Sequence, residues 1–129
     1  MVGLWLALED ATVENGCLWT LPGGHAGGVH RRFLRADDGS VSFEGEMPAF
    51  EEGAFVPVEA KAGTLVLLHG ANVHLSRENV SERSRHAFSV HVVEGGPGHP
   101  WLPQNWLQRR PDFPFEPLYD RGAEEAAAA

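Results

Sequence analysis

The residues best suited to chemistry lie between His69 and His91, in the stretch HGANVHLSRENVSERSRHAFSVH. This stretch contains four of the seven histidines of the chain, and Arg83 and Arg85 introduce a segment that is otherwise apolar. Imidazole is a common ligand of iron and other transition metals. A guanidinium group binds a carboxylate through two parallel hydrogen bonds. The stretch therefore predicts a site for a metal ion and an organic acid.

The last segment of this stretch has two different faces if it forms a strand, because side chains alternate along a strand. Arg85, Ala87, Ser89 and His91 share one face. The opposite face is mostly apolar, with Phe88, Val90 and Val92 beside His86. Small side chains beside a guanidinium leave space for a ligand. We therefore expect the first face to line a cavity, where His91 either touches a substrate or packs as a structural residue. The second face is expected to pack into a core.

The polar connection between His74 and Arg85 is expected to fold back about Asn79. Such a turn places His74 and Arg85 opposite each other on adjacent antiparallel strands, about 5 Å apart. A metal held by His74 would then lie within the length of a small dicarboxylate from the guanidinium. The same residues also permit simpler interpretations, in which His74 is structural and Arg85 pairs with Glu82 or Glu94.

Composition argues against several other classes of protein. Ten basic and eighteen acidic residues give a formal net charge of −8, which disfavours a general nucleic-acid partner. The single cysteine, Cys17, rules out an internal disulfide or a thiolate cluster and is expected to be an inert, buried thiol. No run approaches the ~18 apolar residues of a membrane span, and no signal peptide is recognised. These features predict a cytoplasmic protein.

Short apolar segments separated by turn residues predict a mainly β domain over residues 1–95. Asn15-Gly16 indicates a tight turn between the first two segments, PGGHAGG indicates another turn, and TLVLLHG is expected to be a well-covered strand. Residues 41–53 are acidic and are expected to be irregular and exposed. Residues 96–129 predict an extended tail, rich in Pro and Trp, that packs on the domain and frays at its end. The basic cluster Arg31, Arg32 and Arg35 is either a solvated strand edge or a site for a small anion.

Several of these segments together resemble the phytanoyl-CoA dioxygenase family. The pattern H-x-S-x-x-N-x-S-x-x-x-R-x-A is similar to the distal motif of that family. It is formed here by His74, Ser76, Asn79, Ser81, Arg85 and Ala87. Upstream, GLWLALEDATVENGCLW and LPGGHAGG resemble two further family motifs, although Gly24 stands where the family usually has serine. The resemblance covers nearly the whole chain.

The resemblance implies a double-stranded β-helix, which is a jelly-roll or cupin-like barrel, and an Fe(II)- and 2-oxoglutarate-dependent hydroxylase that uses O2. It implies that His74 is an iron ligand and that Arg85 binds the far carboxylate of 2-oxoglutarate. Trp5 and Ser76 match positions that line the pocket of this co-substrate. By residue type alone, Trp5 is equally a core residue and Ser76 equally a turn-capping serine. The substrate is expected to be a small molecule such as an acyl-CoA or another lipid-like compound, and the oligomeric state is left open.

The other two iron ligands of the family form an H-x-D or H-x-E motif. None of the seven histidines in this chain is followed two residues later by Asp or Glu. The first strand also begins at Gly3 without an upstream partner, so we expect an incomplete barrel from a truncated chain. Three interpretations follow: the distal half of a dioxygenase, a non-catalytic isoform or binding module, and a small cupin-like metal protein that uses clustered histidines.

Overall fold

The computed structural model describes residues 1–95 and 98–118. These residues form eight strands and two short 3-10 helices. The strands are β1 (Val2–Ala7), β2 (Leu18–Thr20), β3 (Arg31–Arg35), β4 (Val41–Gly45), β5 (Val56–Val58), β6 (Leu65–His69), β7 (His74–Ser76) and β8 (Ala87–Val92). The 3-10 helices span Gly24–Gly27 and Glu52–Ala54. No helix among the described residues is long and apolar enough to span a membrane.

The strands form two three-stranded antiparallel sheets and a separate hairpin. One sheet has the order β6-β1-β8, the other has the order β5-β2-β7, and β3 pairs with β4. The chain passes from one three-stranded sheet to the other after β1, β5, β6 and β7. Repeated exchange between two facing sheets is characteristic of jelly-roll architectures. The prediction of a mainly β fold of this class is confirmed.

The core lies between the two sheets, and β1 supplies its largest residue. Trp5 is 6% exposed and Ala7 is completely buried. Cys17 and Leu18, at the start of the second sheet, belong to the same apolar cluster. Burial raises the pKa of the Cys17 thiol above its ordinary value, so the neutral form is favoured. The expected buried thiol is therefore found.

The outward face of the β6-β1-β8 sheet differs from expectation. Leu65, Leu67 and Phe88 are 52%, 64% and 58% exposed, and Val90 is also exposed. The predictions that TLVLLHG is well covered and that Phe88 packs into a core are therefore wrong. The reason is that the described residues place apolar cover on one face of this sheet only. An apolar run shows that a strand is suited to burial, but it does not supply the element that buries it.

Residues 41–53 also contain regular structure that was not predicted. Val41–Gly45 pairs with β3, and the rings of Phe33 and Phe43 lie 4.7 Å apart across the hairpin. Every residue of β4 is exposed, which explains why its sequence resembles a loop. In the tail, Trp106 packs 5.7 Å from the Phe33 ring. The expected fraying of the chain end concerns residues 123–129, which lie outside the described residues.

The turn before β2 depends on a glycine. Gly16 has φ +84°, and a Cβ added there would lie 3.0 Å from the carbonyl oxygen of Arg77. We predict that Gly16→Ala lowers the free energy of unfolding by about 1–2 kcal/mol, because an L-residue is strained in the left-handed region. Chemical denaturation measures this change. Gly53→Ala is the control, since its Cβ would meet no atom within 4 Å; equal losses in the two variants would contradict the explanation.

Candidate functional site

The guanidinium group of Arg85 lies at the centre of the candidate site. Arg85 lies two residues before the start of β8, and its Nε donates a hydrogen bond of 2.9 Å to the carbonyl oxygen of Gly16. Its Nη2 lies 3.4 Å from the Ser76 hydroxyl oxygen. The guanidinium carbon lies 5.8 Å from the centre of the Trp5 ring, within the range of a cation–π contact. Trp5, Ser76 and Arg85, which are distant in sequence, therefore meet at one place.

The charge of Arg85 is not neutralised by a protein carboxylate among the described residues. Neither Glu82 nor Glu94 forms a salt bridge with it, so the structure does not support those pairings. Nη1 and Nη2 make no hydrogen bond to described residues beyond the long contact with Ser76. A guanidinium group has five N–H donors. Most of the donors of Arg85 are therefore available to an anionic ligand.

His74 lies on the same strand face as Ser76. It pairs with Thr20 across the sheet, and its ring is exposed. Its Nδ1 is 2.9 Å from the carbonyl oxygen of Asn72. Because a carbonyl group only accepts hydrogen bonds, this contact places the proton on Nδ1 and leaves the Nε2 lone pair available to a metal. His74 and Ser76 are two residues apart, which corresponds to about 7 Å along a strand.

His74 and Arg85 are not directly opposite each other on adjacent strands, so that part of the prediction is wrong. His74 belongs to the β5-β2-β7 sheet, whereas Arg85 leads into β8 of the other sheet. The connection between them crosses from sheet to sheet instead of closing a hairpin. The two residues are linked through Ser76, which shares a strand face with His74 and contacts Arg85.

Asn79 and Ser81 of the distal motif stabilise this crossing connection. The Asn79 side chain accepts hydrogen bonds of 2.9 Å from both the amide and the hydroxyl of Ser81. It also donates one of 2.7 Å to the carbonyl oxygen of Arg83. The Val80 amide donates to the carbonyl oxygen of Glu14 at 3.0 Å. These contacts give a structural reason for Asn79 and Ser81 in the motif between His74 and Arg85.

Glu9 and Asn15 were not predicted as site residues, yet both contact the neighbours of Arg85. The Asn15 side chain is buried and donates hydrogen bonds to the carbonyl oxygens of Asp10 and Ser84, at 2.8 and 3.1 Å. Glu9 accepts hydrogen bonds from the Ser84 hydroxyl at 2.9 Å and from the His86 amide at 2.8 Å. By type, Asn15 indicates a turn and Glu9 a surface residue. The one feature of the sequence that could have indicated a role in the site is that both residues lie in the segment GLWLALEDATVENGCLW, which resembles a family motif.

The described residues do not form a metal site by themselves. No group of three or more His, Cys, Asp or Glu side chains among them is arranged to hold an ion. His74 is thus a single imidazole, and stable iron binding in proteins of this type needs two histidines and a carboxylate. The interpretation as a small metal protein with clustered histidines receives no support from the described part of the chain.

A cavity of about 720 Å³ lies at the edge of β8. Its wall includes Ser89 and His91, which share the inward strand face with Ala87. Aromatic and basic side chains form much of the remaining wall. They are Phe33, Trp101, Trp106, Phe115, Arg32 and Arg109. Among the basic residues of the β3 strand, Arg32 thus lines the cavity, whereas Arg31 lies over the ring of Phe43 at 3.9 Å.

Comparison with known proteins identifies the family of this chain. The family model described as "Phytanoyl-CoA dioxygenase (PhyH)" matches residues 1–87. The chain belongs to this family. It is 52% identical over 122 residues to phytanoyl-CoA dioxygenase domain-containing protein 1 of Bos taurus, covering 92% of this chain and 42% of the relative. It is 51% identical over 117 residues to phytanoyl-CoA dioxygenase of Arabidopsis thaliana, covering 91% and 40%.

The chain therefore spans about two-fifths of the length of these dioxygenase-family relatives. Among solved structures, it resembles EvdO2 of Micromonospora carbonacea var. aurantiaca, which was crystallised in complex with 2-oxoglutarate. The TM-score is 0.52 and the identity 25%, over 74% of this chain and 42% of EvdO2. This similarity supports the cupin-like fold.

The Glu9 carboxylate should make stability depend on pH. The hydrogen bonds from the His86 amide and the Ser84 hydroxyl lower the pKa of Glu9 below its ordinary value. A carboxylate with a lowered pKa stabilises the fold above its unfolded pKa, and that contribution is lost as the pH falls through the folded pKa. We predict that the free energy of unfolding decreases more steeply below about pH 4.3 in the unmodified chain than in Glu9→Gln. Urea titrations over this pH range measure the difference; parallel curves would contradict it.

Proposed function

We propose that this chain provides the co-substrate end of an Fe(II)- and 2-oxoglutarate-dependent dioxygenase site. The observation that supports this most strongly is the meeting of Arg85, Ser76 and Trp5 between the two sheets. The guanidinium binds the far carboxylate of 2-oxoglutarate, the Ser76 hydroxyl donates a further hydrogen bond, and the Trp5 ring forms an apolar wall. A planar guanidinium fork is well suited to a carboxylate.

The proposed role of His74 is that of one iron ligand. Its Nδ1–H donates a hydrogen bond to the Asn72 carbonyl oxygen, so the lone pair of Nε2 is available to bind iron. When bound, the iron would supply the oxidising chemistry, with O2 as the second co-substrate. The described residues contain no three-ligand group, so the proposal assigns the other two ligands to sequence outside this chain.

The first test measures binding of 2-oxoglutarate to the isolated chain by NMR titration. We predict that Arg85→Ala weakens binding by at least about tenfold, since a hydrogen-bonded ion pair is lost. Arg83→Ala is the matched control, because Arg83 is exposed and lies 3.9 Å from Glu14. Unchanged affinity in Arg85→Ala, or equal losses in both variants, would contradict the assignment.

Iron binding distinguishes the dioxygenase from the alternative that this chain is a non-catalytic binding module. That alternative is favoured by the lack of a three-ligand group among the described residues. In a longer protein that contains both this chain and an upstream H-x-D motif, His74→Ala should abolish iron binding and 2-oxoglutarate decarboxylation. His99→Ala serves as the control, since His99 is exposed and pairs with Glu94. Oxoacid binding without turnover in the longer protein would support the module.

We further propose that the β8 cavity receives the substrate. Its volume lies within the range of small-molecule sites, and its aromatic wall suits an apolar group. Arg32 and Arg109 suit an anionic group. An acyl-CoA or another lipid-like acid has both features.

A fatty-acid titration tests this assignment. We predict that a long-chain carboxylate quenches tryptophan fluorescence and that Arg109→Gln reduces its affinity roughly tenfold through loss of a charged contact. Arg110→Gln is the control, because Arg110 forms a salt bridge with Asp112. Equal affinity for the carboxylate and its neutral alcohol would exclude the anionic contact.

A further inference from the structure

The backbone around Arg85 is held on both sides by side chains from a single segment. Glu9 and Asn15 lie in the residues that join β1 to β2. Glu9 contacts Ser84 and His86, the two neighbours of Arg85. Asn15 contacts the carbonyl oxygen of Ser84. The residue proposed to bind the oxoacid therefore lies between two anchored positions.

Asn15 is held rigidly because its own polar atoms have partners. It is only 3% exposed. Its Oδ1 accepts hydrogen bonds from the Thr12 amide at 2.6 Å and from the Thr12 hydroxyl at 3.2 Å. Its Nδ2 donates to Asp10 and Ser84. Rotating the amide would break the contacts at both of its ends and leave buried polar groups without partners, which costs more than the bonds themselves contribute. Rotation of this amide is therefore opposed from both ends.

The residue after Asn15 controls the direction of the guanidinium group. The Gly16 carbonyl oxygen accepts a hydrogen bond from Arg85 Nε at 2.9 Å. This contact uses the donor nearest the aliphatic chain and so limits rotation of the guanidinium plane. The Ser76 contact is longer, at 3.4 Å, and contributes less to orientation.

We propose that Glu9 and Asn15 are positioning residues that orient the Arg85 guanidinium for carboxylate binding before any ligand arrives. This inference rests on the proposed role of Arg85 and adds the mechanism by which that role is achieved. Neither side chain touches the ligand. A preorganised guanidinium loses little conformational freedom when the acid binds, so affinity is gained without an additional contact.

The orientation is tested first without ligand or metal. In the isotopically labelled full chain, we expect slow hydrogen exchange at Arg85 Nε. Glu9→Ala and Asn15→Ala should each increase that exchange rate roughly tenfold, the effect of losing hydrogen bonds of this kind. Glu59→Ala is the matched control, because Glu59 accepts a hydrogen bond of 3.0 Å from the Val13 amide in the same segment and does not touch residues 84–86. Unchanged exchange in both test variants, or equal acceleration in the control, would overturn the proposal.

Further variants distinguish a positioning role from a general loss of structure. Thr12→Val removes the hydroxyl contact with Asn15 Oδ1 and replaces Asn15→Ala if that variant does not fold. Ser84→Ala removes one contact with Glu9 and tests that anchor independently. Glu9→Gln retains one carbonyl acceptor and should partly restore slow exchange relative to Glu9→Ala; the lack of any restoration would count against a hydrogen-bonding role. The NMR spectrum of each labelled variant shows directly whether the variant is folded.

Titration with 2-oxoglutarate then connects orientation to binding. We expect Glu9→Ala to raise the dissociation constant roughly tenfold, in parallel with the faster exchange. Failure of the unmodified chain to bind 2-oxoglutarate would refute the proposed function, while the exchange experiment would still decide the positioning role. Faster exchange with unchanged affinity would overturn the positioning proposal alone.

Discussion

The buried side chain of Asn15 connects the parts of this fold that create its site. It joins Asp10 and Thr12, in the connection between β1 and β2, to Ser84, the residue before Arg85, with hydrogen bonds of 2.6 to 3.2 Å. A buried amide without partners is costly, so these segments are stable only when they are assembled together. Because β1 and β2 belong to different sheets, the same network helps to fix how the two sheets meet.

Placing an arginine between two sheets requires compensation for lost hydration. The Gly16 carbonyl oxygen and the Trp5 ring provide part of it, and the remaining donors face the space near Ser76. The absence of a salt bridge to Arg85 within the described residues is then informative. A carboxylate from the protein would stabilise the fold but would compete with an acidic ligand. Under the proposed function, this arrangement favours binding over maximal stability, as is common at functional sites.

Residue patterns predicted a mainly β fold and the inward face of β8, because strand alternation is a local property, but they did not predict β4. Family resemblance indicated that Trp5, Ser76 and Arg85 lie together. The relative position of His74 and Arg85 was predicted wrongly, because a polar connection does not reveal whether it closes a hairpin or crosses between sheets. The exposure of Leu67 and Phe88 was also missed, since burial depends on neighbours absent from the local pattern. Glu9 was overlooked because its role depends on Ser84 and His86, more than seventy residues away in sequence.

The proposed site has a carboxylate-binding end and a metal-binding end, and this chain contributes many more residues to the first than to the second. The carboxylate-binding end is formed by β1, the turn into β2, β7 and the residues before β8, all within the described chain. Among the described residues, the proposed metal-binding end has only His74, and one imidazole gives little affinity or geometric control over iron. The hydrogen bonds proposed to orient Arg85 involve no metal ligand. The proposed oxoacid contacts therefore do not depend on the metal ligands, and they are formed within the described part of the chain.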